Sequence, residues 1–327
     1  MTTPTVSVVI AAYTEARWDD LRAAVASLQK QTLPPREIIV VVDYNPTLLA
    51  RVREQIPNVL AIANTEPRGL SGARNCGVAA AHGELIAFLD DDAIAAPDWL
   101  ERMVEHFADS EVLGVGGFAE PLWSSAPPRW FPEEFYWVIG CSYRGMPEQV
   151  ASVRNLFGGN MCIRRALFDA VGGFQSGIGR DRYLLKGCEE TEFCIRARQS
   201  VPHGKFLYTP HARIGHRVSP SRHRLSYFAV RCYSEGLSKA TVARLRGAHD
   251  GLASERTYTL QVLPRALLRN LQQTILRRDA AGILKAGAIL IGLGLTTLGF
   301  LVGTMASWRA PRLTLDARVA PAANRVQ

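Results

Sequence analysis

The stretch that decides the fold is residues 5–43, TVSVVIAAYTEARWDDLRAAVASLQKQTLPPREIIVVVD. It begins with an uninterrupted apolar run, VSVVIAA, and ends with another, EIIVVV; between them Leu21, Val25 and Leu28 recur at helical spacing. This pattern predicts a buried strand, an amphipathic helix and a second buried strand. Because the strands are apolar throughout, we expect an α/β fold with a mostly parallel central sheet covered on both faces.

The alternation of strands and helices continues further along the chain. Strands are predicted at 59–62, 84–89, 112–115 and 205–213, and helices at 46–56, 71–81, 97–107 and 188–198. Residues 120–160 are rich in Trp, Pro and Gly and are expected to form an irregular insertion. In open α/β sheets ligands bind beyond the carboxyl ends of the strands. The residues at 13–15, Asp43 and 90–92 are therefore expected to face one crevice.

Composition and charge separate the chain into two parts. The 327 residues are 47% hydrophobic, enough for a large core, which excludes a disordered chain and a disulfide scaffold. The net charge of +8 divides into −6 over residues 1–201, with 19 basic and 25 acidic residues, and +14 over 202–327, with 19 and 5. The basic residues adjoin an apolar segment instead of forming an aromatic-interleaved patch in a soluble domain, so we expect no nucleic-acid partner.

The six cysteines show no CxxC or zinc-ligand spacing, and the N-terminus enters a strand pattern without a signal-peptide profile. We expect free thiols and a cytoplasmic front part.

Residues 286–308 form a run of 23 uncharged residues, about 35 Å long as a helix. That length crosses a hydrocarbon core of about 30 Å, and a buried core helix is the alternative. Upstream, Leu260, Leu263, Leu267, Leu271 and Ile275 form an apolar stripe beside arginines. The stripe fits an interfacial helix on anionic lipid or a core-facing helix with a solvated basic side.

Two acidic clusters could carry chemistry. Asp90, Asp91 and Asp92 end an apolar strand, where adjacent carboxylates need a cation or hydrogen-bond donors. A hard divalent ion shared with a diphosphate suits them, and a solvated strand end is the alternative. In the second cluster, Glu189 and Glu192 are candidates for charges at a helix N-terminus, whereas Glu190 is the candidate general base.

A glycine-bearing turn with two arginines, Arg68 to Arg74, leads into a predicted helix and suits a phosphate-rich ligand. No G-x-G-x-x-G follows the first strand and no P-loop occurs, which disfavours dinucleotide oxidoreductases and P-loop NTPases. Four histidines lie between 203 and 223 without zinc spacing; His216 is the one we single out as a metal ligand.

Taken in order, SVVIAAYTEA, IIVVVDYN, GLSGARNCGVAAAHGELIAFLDDDA, FGGNMCIRRALFDAVGGF and GCEETEFCIRAR resemble the family 2 glycosyltransferases of the GT-A fold, over about residues 5–240. The resemblance implies inverting transfer of a sugar from a nucleoside-diphosphate sugar. It places the DxD motif at Asp90 and Asp92, a nucleotide contact at Asp43, the catalytic base at Glu190 and a further metal ligand at His216. With its membrane segment, the chain is similar to actinobacterial members labelled glucosyl-dolichyl-phosphate glucuronosyltransferases.

The sequence departs from the family pattern at three places. Ala11-Ala12-Tyr13-Thr14 replaces the usual Pro-x-Tyr-Asn, Asp43-Tyr44-Asn45-Pro46 replaces Asp-Asp-Gly-Ser, and Glu190 replaces Asp. The Gln-x-x-Arg-Trp motif of processive synthases is absent, which favours addition of one sugar at a time.

These observations lead to one assignment of residues and domains. The metal site, for Mg²⁺ or Mn²⁺, comprises Asp90, Asp92 and His216. The donor-binding residues are Ala11, Tyr13, Glu15, Asp43, Arg68, Arg74, Asp90 and Asp91, and the catalytic residues are Glu190 and Glu189. The expected domains are a catalytic GT-A domain at 1–215, a basic helical membrane-proximal region at 216–285, a transmembrane helix at 286–308 and a short basic tail at 309–327.

The acceptor is expected to be a lipid-linked or cell-surface glycan, and the protein a single-pass membrane protein with its catalytic domain on the cytoplasmic side. Two other functions fit parts of the sequence. A metal-dependent nucleotidyltransferase that makes nucleotide sugars also combines an α/β sheet, a metal and an arginine-bearing loop. A non-catalytic membrane scaffold of the same fold is the other alternative, which the two acidic clusters disfavour.

Overall fold

A computed structural model describes residues 3–178 and 187–309. The strands are β1 Val6–Ala12, β2 Glu37–Val42, β3 Leu60–Ala63, β4 Leu85–Leu89, β5 Ala93–Ala95, β6 Val112–Trp123, β7 Ala151–Val153, β8 Asn160–Arg164 and β9 Lys205–Val218. The α-helices are α1 Trp18–Leu28, α2 Pro46–Gln55, α3 Leu70–Ala80, α4 Trp99–Val104, α5 Arg165–Val171, α6 Glu189–Ser200, α7 Leu225–Arg246, α8 Ala248–Gly251, α9 Ala253–Thr257, α10 Leu263–Arg277 and α11 Ala281–Arg309. Short 3₁₀ helices lie at Glu15–Arg17, Glu105–Ala108, Glu133–Ile139 and Pro220–His223, and a π-helical turn, Tyr258–Val262, joins α9 to α10.

The described strands form one sheet in the order β3-β2-β1-β4-β8-β6-β9-β5, and β7 pairs with β9. The first four of these are mutually parallel, as their apolar sequences predict. β8 lies antiparallel between β4 and β6, whereas β6 and β9 run parallel to each other. The predicted α/β, GT-A-like fold is confirmed. The sheet is mixed: the strands β3, β2, β1 and β4 are parallel to one another, and so are β6 and β9.

Apolar side chains fill both faces of the sheet, because alternate residues of β1, β2 and β4 enter opposite core clusters. A helix cap and a backbone hydrogen bond fix the carboxyl ends of the first strands. The Asn45 side chain accepts a hydrogen bond from Leu48 N and begins α2, with Pro46 in its first turn. Asp43 N donates to Ala12 O at 2.7 Å, which keeps the ends of β1 and β2 together.

Two strands extend beyond their predicted ends, and this changes the site. β6 continues to Trp123 and β9 to Val218, where the sequence predicted ends at 115 and 213. They pair along this extension after an irregularity between Gly117 and Phe118. Of the Gly and Pro residues that suggest an irregular segment at 120–160, Pro121 lies in this ladder, opposite His216, whereas residues 124–150 contain no β-strand. The domain boundary expected at 215 falls inside β9.

The C-terminal helices pack on the sheet domain through an aromatic core that contains Phe131, Phe135 and Phe228. Helix α11 lies along α7 in close contact: a Cβ added at Gly236 would be 2.1 Å from Thr296 O, and one added at Gly299 would be 2.1 Å from Tyr233 O. Residues Ala281–Ala306 are long and apolar enough to cross a membrane. Of the tail predicted at 309–327, residues 310–327 lie outside the described residues.

Candidate active site

The turn after β4 brings the predicted metal ligands together. Asp90 to Asp92 lead from β4 into β5, and β5 pairs antiparallel with β9 so that Ala93 lies opposite His216. One ligand atom from each of Asp90, Asp92 and His216 lies within 4.8 Å of the others. His216 Nε2 is 3.2 Å from Asp92 Oδ1, and its Nδ1 is 3.8 Å from the Cys141 sulfur. The extension of β9 is therefore what delivers the histidine to the aspartates.

The donor atoms of this group suit a divalent cation. Two carboxylates and one imidazole converge, and Asp92 and His216 are buried. Burial opposes ionisation of Asp92, yet its pairs with His216, Arg17 and Arg222 lower its pKa well below the usual range. Arg17 Nη1 and Arg222 Nη2 each lie 3.3 Å from Asp92 Oδ2. A carboxylate held ionised in this way is ready to coordinate a metal without first losing a proton.

Asp91 has a different environment from its two neighbours. Its Oδ1 accepts a hydrogen bond from Arg17 at 2.7 Å, and the side chain is buried. Burial raises the pKa of Asp91 to about 7, although Arg17 opposes the shift. Asp91 therefore binds the 3₁₀ helix that follows β1, and its predicted contact with the donor stays a prediction.

Arg74 connects the two acidic clusters. It is buried in α3, and its Nη1 donates to Glu189 Oε1 at 2.8 Å while its Nη2 lies 3.4 Å from Asp90 Oδ1. The other oxygen of Glu189 is buried and has no hydrogen-bond partner among the described residues. A buried carboxylate oxygen without a partner is costly, which makes it a suitable acceptor for a sugar hydroxyl.

The three glutamates of the second cluster divide between structure and chemistry. Glu192 is fully buried and pairs with Arg196 and Arg246. Glu190, in the first turn of α6, lines a cavity beside the site. Burial, followed by the charge of Glu189, raises the pKa of Glu190 to about 8, with Arg74 opposing the shift. A half-buried carboxylate with a raised pKa at a cavity wall is typical of a general base.

The predicted donor-binding residues around the first strands are only partly brought together. Asp43 accepts hydrogen bonds from Asn64 Nδ2 at 2.7 Å and from Gly69 N at 3.1 Å, so it fixes the loop that leads into α3. Tyr13 is exposed beside Asn45, which donates to its carbonyl oxygen. Glu15 and Arg68 are exposed, and Arg68 lies over the Tyr44 ring at 5.6 Å. Ala11 packs on the core within β1.

A cavity of about 680 Å³ adjoins the site. Asp90, Glu189, Glu190 and His216 line one part of it, and side chains of α7, α9 and α11 line another. Trp137 contributes to the wall, and its Nε1 donates to the Tyr258 hydroxyl at 3.1 Å. Trp130, a second aromatic in the predicted insertion, stacks on Phe131 inside the C-terminal core.

Several residues of the site escaped prediction from the sequence. Arg17 and Arg222 lie far from Asp92 along the chain, and no local pattern marks them. Gly159 lies so close to Asp90 that a Cβ there would be 2.2 Å from Asp90 Oδ2. Its place in the FGGN motif was a signal that this backbone approaches a functional side chain closely.

The fold and this arrangement of carboxylates define a sugar-transferring enzyme, and the chain belongs to glycosyl transferase family 2, whose model matches residues 7–172. It is 34% identical to the "Glucosyl-dolichyl phosphate glucuronosyltransferase" of Haloferax volcanii over 238 residues, 72% of this chain and 76% of that protein. This relative is archaeal, so it does not support the predicted actinobacterial affiliation. The succinoglycan biosynthesis protein ExoM of Rhizobium meliloti is 25% identical over 85% of this chain and 91% of its own length.

Solved structures support the same fold. The mannosyltransferase PcManGT of Pyrobaculum calidifontis, solved with GDP-Man and Mn²⁺, matches 92% of this chain and 88% of its own, with a TM-score of 0.58 and 16% identity. GalNAc-T7, solved with UDP, GalNAc and Mn²⁺, matches 74% of this chain and 48% of its own, with a TM-score of 0.53 and 20% identity. The protein is thus a glycosyltransferase with a group of residues able to bind a metal.

Proposed function

We propose that the protein transfers one sugar from a nucleoside-diphosphate sugar to an acceptor hydroxyl, with inversion at the anomeric carbon. The observation that carries this proposal is the placement of Glu190, with its raised pKa, in the same cavity wall as Asp90 and His216. A metal-binding group and a general base beside one cavity are the two elements that a direct displacement needs.

The residues proposed to bind the donor also stabilise the charge of the leaving diphosphate. Mg²⁺ or Mn²⁺, held by Asp90, Asp92 and His216, would neutralise the charge on the departing diphosphate. Arg17 and Arg222 keep Asp92 ionised, and Asp43 fixes the loop before α3 on the nucleotide side. Glu189 presents its second oxygen to the sugar while its first holds Arg74 in place.

The acceptor side of the site supplies the base. The Glu190 carboxylate takes the proton of the acceptor hydroxyl as the oxygen forms its bond to the anomeric carbon. The bond to the diphosphate breaks on the opposite face of the sugar, so the configuration inverts. The raised pKa strengthens Glu190 as a base, because proton transfer is most effective when the base titrates near the working pH.

We further propose that α10 and α11 attach the enzyme to a membrane, with a single crossing by α11 and the catalytic domain on the cytoplasmic side. Both helices expose apolar side chains: Leu268, Leu271, Ile275, Leu276, Ile283, Leu284, Leu290, Ile291, Leu298, Leu301 and Met305. The part before the span, residues 202–285, carries 15 basic and 4 acidic residues, against 4 and 1 in residues 309–327, and this excess would favour the cytoplasmic face for the catalytic side. The acceptor is accordingly a lipid-linked or cell-surface glycan.

Release of nucleoside diphosphate from a panel of UDP-, GDP- and dTDP-sugars, using the full chain in membranes, tests the function. We expect one donor to be consumed in a metal-dependent way, and Asp92→Ala and Glu190→Gln to abolish transfer. Only Asp92→Ala should weaken metal-dependent nucleotide binding. Release of pyrophosphate from a nucleoside triphosphate would show a nucleotidyltransferase instead, and wild-type turnover by either variant would refute the assignment.

A further inference from the structure

The candidate base Glu190 follows a turn with an unusual backbone. Cys188, the residue before α6, has φ +75° and ψ +15°, in the left-handed region that residues other than glycine rarely adopt. Its carbonyl oxygen accepts the first hydrogen bond of the helix, from Glu192 N at 2.9 Å. A residue other than glycine persists in this conformation only where its surroundings hold it there. The turn of Gly187 and Cys188 therefore needs support from neighbouring elements.

The side chain of Cys188 bonds to α7 instead of capping α6. Although Cys188 is the N-cap residue, its side chain makes no capping hydrogen bond to the described residues of the helix. The buried thiol donates to Glu235 Oε1 of α7 at 3.3 Å. Burial, followed by the charge of Glu235, raises the pKa of this thiol well above its usual range, so it remains a proton donor. The left-handed residue is thus tied to the middle of α7.

A second contact holds the other residue of the turn. Gly187 N donates to Ser238 Oγ at 3.2 Å, and the Ser238 hydroxyl donates to Ser234 O at 2.9 Å. Because its one proton is used within α7, the Ser238 oxygen is left as an acceptor toward Gly187. A Cβ at Gly187 would lie 3.3 Å from Arg231 Nη2, so the turn passes close to α7. The two residues before α6 are therefore both hydrogen-bonded to α7.

The part of α7 that receives the turn is itself held in place. Glu235 pairs with Arg231 at 3.0 Å and with Lys239 at 3.4 Å. Burial opposes ionisation of Glu235, but Lys239 and Arg231 lower its pKa, so the acceptor of the thiol proton is a carboxylate. The next residue, Gly236, packs so closely on α11 that a Cβ there would be 2.1 Å from Thr296 O. Helix α7 is thus a fixed support for the turn.

The position of Glu190 depends on this turn. Glu190 lies two residues after Cys188, in the first turn of α6, and it lines the cavity beside Glu189. A change in the backbone angles of Cys188 would rotate that first turn and move the carboxylate. After burial and the charge of Glu189, the charge of Glu235 also raises the pKa of Glu190. Glu235 is therefore close enough to act on the candidate base through its charge as well as through the turn.

We propose that Glu235 is a positioning residue for the candidate base. By accepting the thiol proton of Cys188, it holds the left-handed turn that directs Glu190 into the cavity. Ser238 assists by accepting from Gly187. This inference rests on the proposed function, because it concerns the base of that same site.

Substitutions at Cys188 test the hydrogen bond with little change of shape. We expect Cys188→Ala to lower kcat by about tenfold with the KM for the donor nearly unchanged, because the base is displaced while the donor site is not. Cys188→Ser retains a proton donor and should keep the wild-type kcat. Cys194→Ala, at another buried thiol of α6, is the matched control and should also keep it. Equal kcat values for Cys188→Ala and Cys188→Ser, or an equal loss in Cys194→Ala, would overturn the proposal.

Substitutions at Glu235 separate its hydrogen bond from its charge. Glu235→Gln and Glu235→Leu remove the same charge, but only glutamine keeps an oxygen that can accept from Cys188. We expect kcat of Glu235→Gln to exceed that of Glu235→Leu by about tenfold. Adding Cys188→Ala to Glu235→Leu should cause no further loss, because both remove one bond. Additive losses would contradict the proposal, and the Cys188 variants decide it if Glu235→Leu does not fold.

Unfolding experiments distinguish this inference from the proposed function. The unfolding midpoint of the full chain in detergent is measured from about pH 5 to 9, with and without Glu190→Gln, to obtain the contribution of Glu190. Cys188→Ala should reduce this contribution, because a released Glu190 reaches water and its pKa falls. Cys188→Ser should keep it. An unchanged contribution in Cys188→Ala would overturn the positioning role even if transfer is observed. Absence of nucleoside diphosphate release from any donor would refute the proposed function alone.

Discussion

Arg74 and Glu189 form a buried ion pair, 2.8 Å from Nη1 to Oε1, that joins α3 to the first turn of α6. The charge of Glu189 raises the pKa of Glu190, and Arg74 lowers it. The pair therefore influences the pKa of the candidate base Glu190 in two opposing ways. Two substitutions at the pair should move this property in opposite directions.

We expect Glu189→Gln to shift the acid side of the pH profile of kcat/KM to lower pH, because it removes a negative charge beside Glu190. Arg74→Met should shift it to higher pH, because it removes a positive charge. Initial rates of nucleoside diphosphate release across a series of buffers measure both shifts. Shifts of the same sign would contradict the assignment of Glu190 as the titrating group.

The wild-type rate should itself rise with pH through about 8, the pKa of Glu190, because only the carboxylate accepts the hydroxyl proton. Below that pH the base is largely protonated, and kcat/KM should fall about tenfold for each unit. Metal saturation must be verified at every pH point, since metal binding also depends on pH. A rate that is flat between pH 6 and 9, as measured with saturating metal, would rule out Glu190 as the base.

Glu190→Gln should lose catalysis yet gain stability in alkaline solution. The folded pKa of Glu190 lies above its unfolded value of 4.5, so the folded state binds more protons between these values. The free energy of unfolding of the wild type therefore falls, through this group, as the pH rises from 4.5 toward 8. The neutral glutamine avoids that loss. Transfer should drop by about 10²- to 10⁴-fold, while the unfolding midpoint at pH 9 exceeds that of wild type.

Removal of one candidate metal ligand should lower the affinity for the metal more than it lowers the stability of the fold. Asp92→Asn retains the shape but loses the negative charge, and His216→Gln removes the imidazole. We expect each to raise the Mn²⁺ concentration for half-maximal activity by at least about tenfold. Titration with Mn²⁺ and a donor nucleotide, followed calorimetrically, checks this. Glu105→Gln, at a surface glutamate near Arg102, is a control that should keep wild-type metal affinity.

The contact of α11 with α7 depends on glycine at defined positions. Gly299→Ala places a Cβ 2.1 Å from the Tyr233 carbonyl, whereas nothing lies within 4 Å of a Cβ at Gly294. The first substitution should force the helices apart and destabilise the protein by about 1–3 kcal/mol. Gly294→Ala, in the same helix, should be neutral or slightly stabilising, since alanine favours helix. Thermal unfolding in detergent compares the two.

The sequence predicted the first half of the sheet and the aspartates of the candidate metal site, because both are encoded locally. Apolar runs mark β1, β2 and β4, and Asp90 to Asp92 directly follow the last of these. His216 could be singled out, yet its contact with Asp92 depends on the pairing of β9 with β5. Arg17 and Arg222 reach Asp92 only in the folded chain, so no local periodicity marks them.

A charged cluster of Arg154, Arg231, Glu235, Lys239 and Glu255 shows what a fuller interpretation of the sequence could have found. Arg231, Glu235 and Lys239 are spaced four apart, which aligns them on one face of a helix. That spacing indicates an ion-paired stripe, but it does not indicate that the stripe is buried or that Arg154 and Glu255 join it. Those facts depend on the packing of α7 against α6 and on the course of the chain beyond it.

The position of α11 in the cavity wall has a consequence for how the protein is made. A ribosome releases the candidate metal ligands and the candidate base by residue 216, but the cavity wall at Leu293 to Phe300 emerges about 80 residues later. Until then the cavity lacks one side and water has access to the candidate base Glu190. Completion of this cavity thus belongs to a late stage of synthesis. A truncated chain without α11 would retain the carboxylates of the candidate site. It would lose the cavity wall that keeps bulk water away from them.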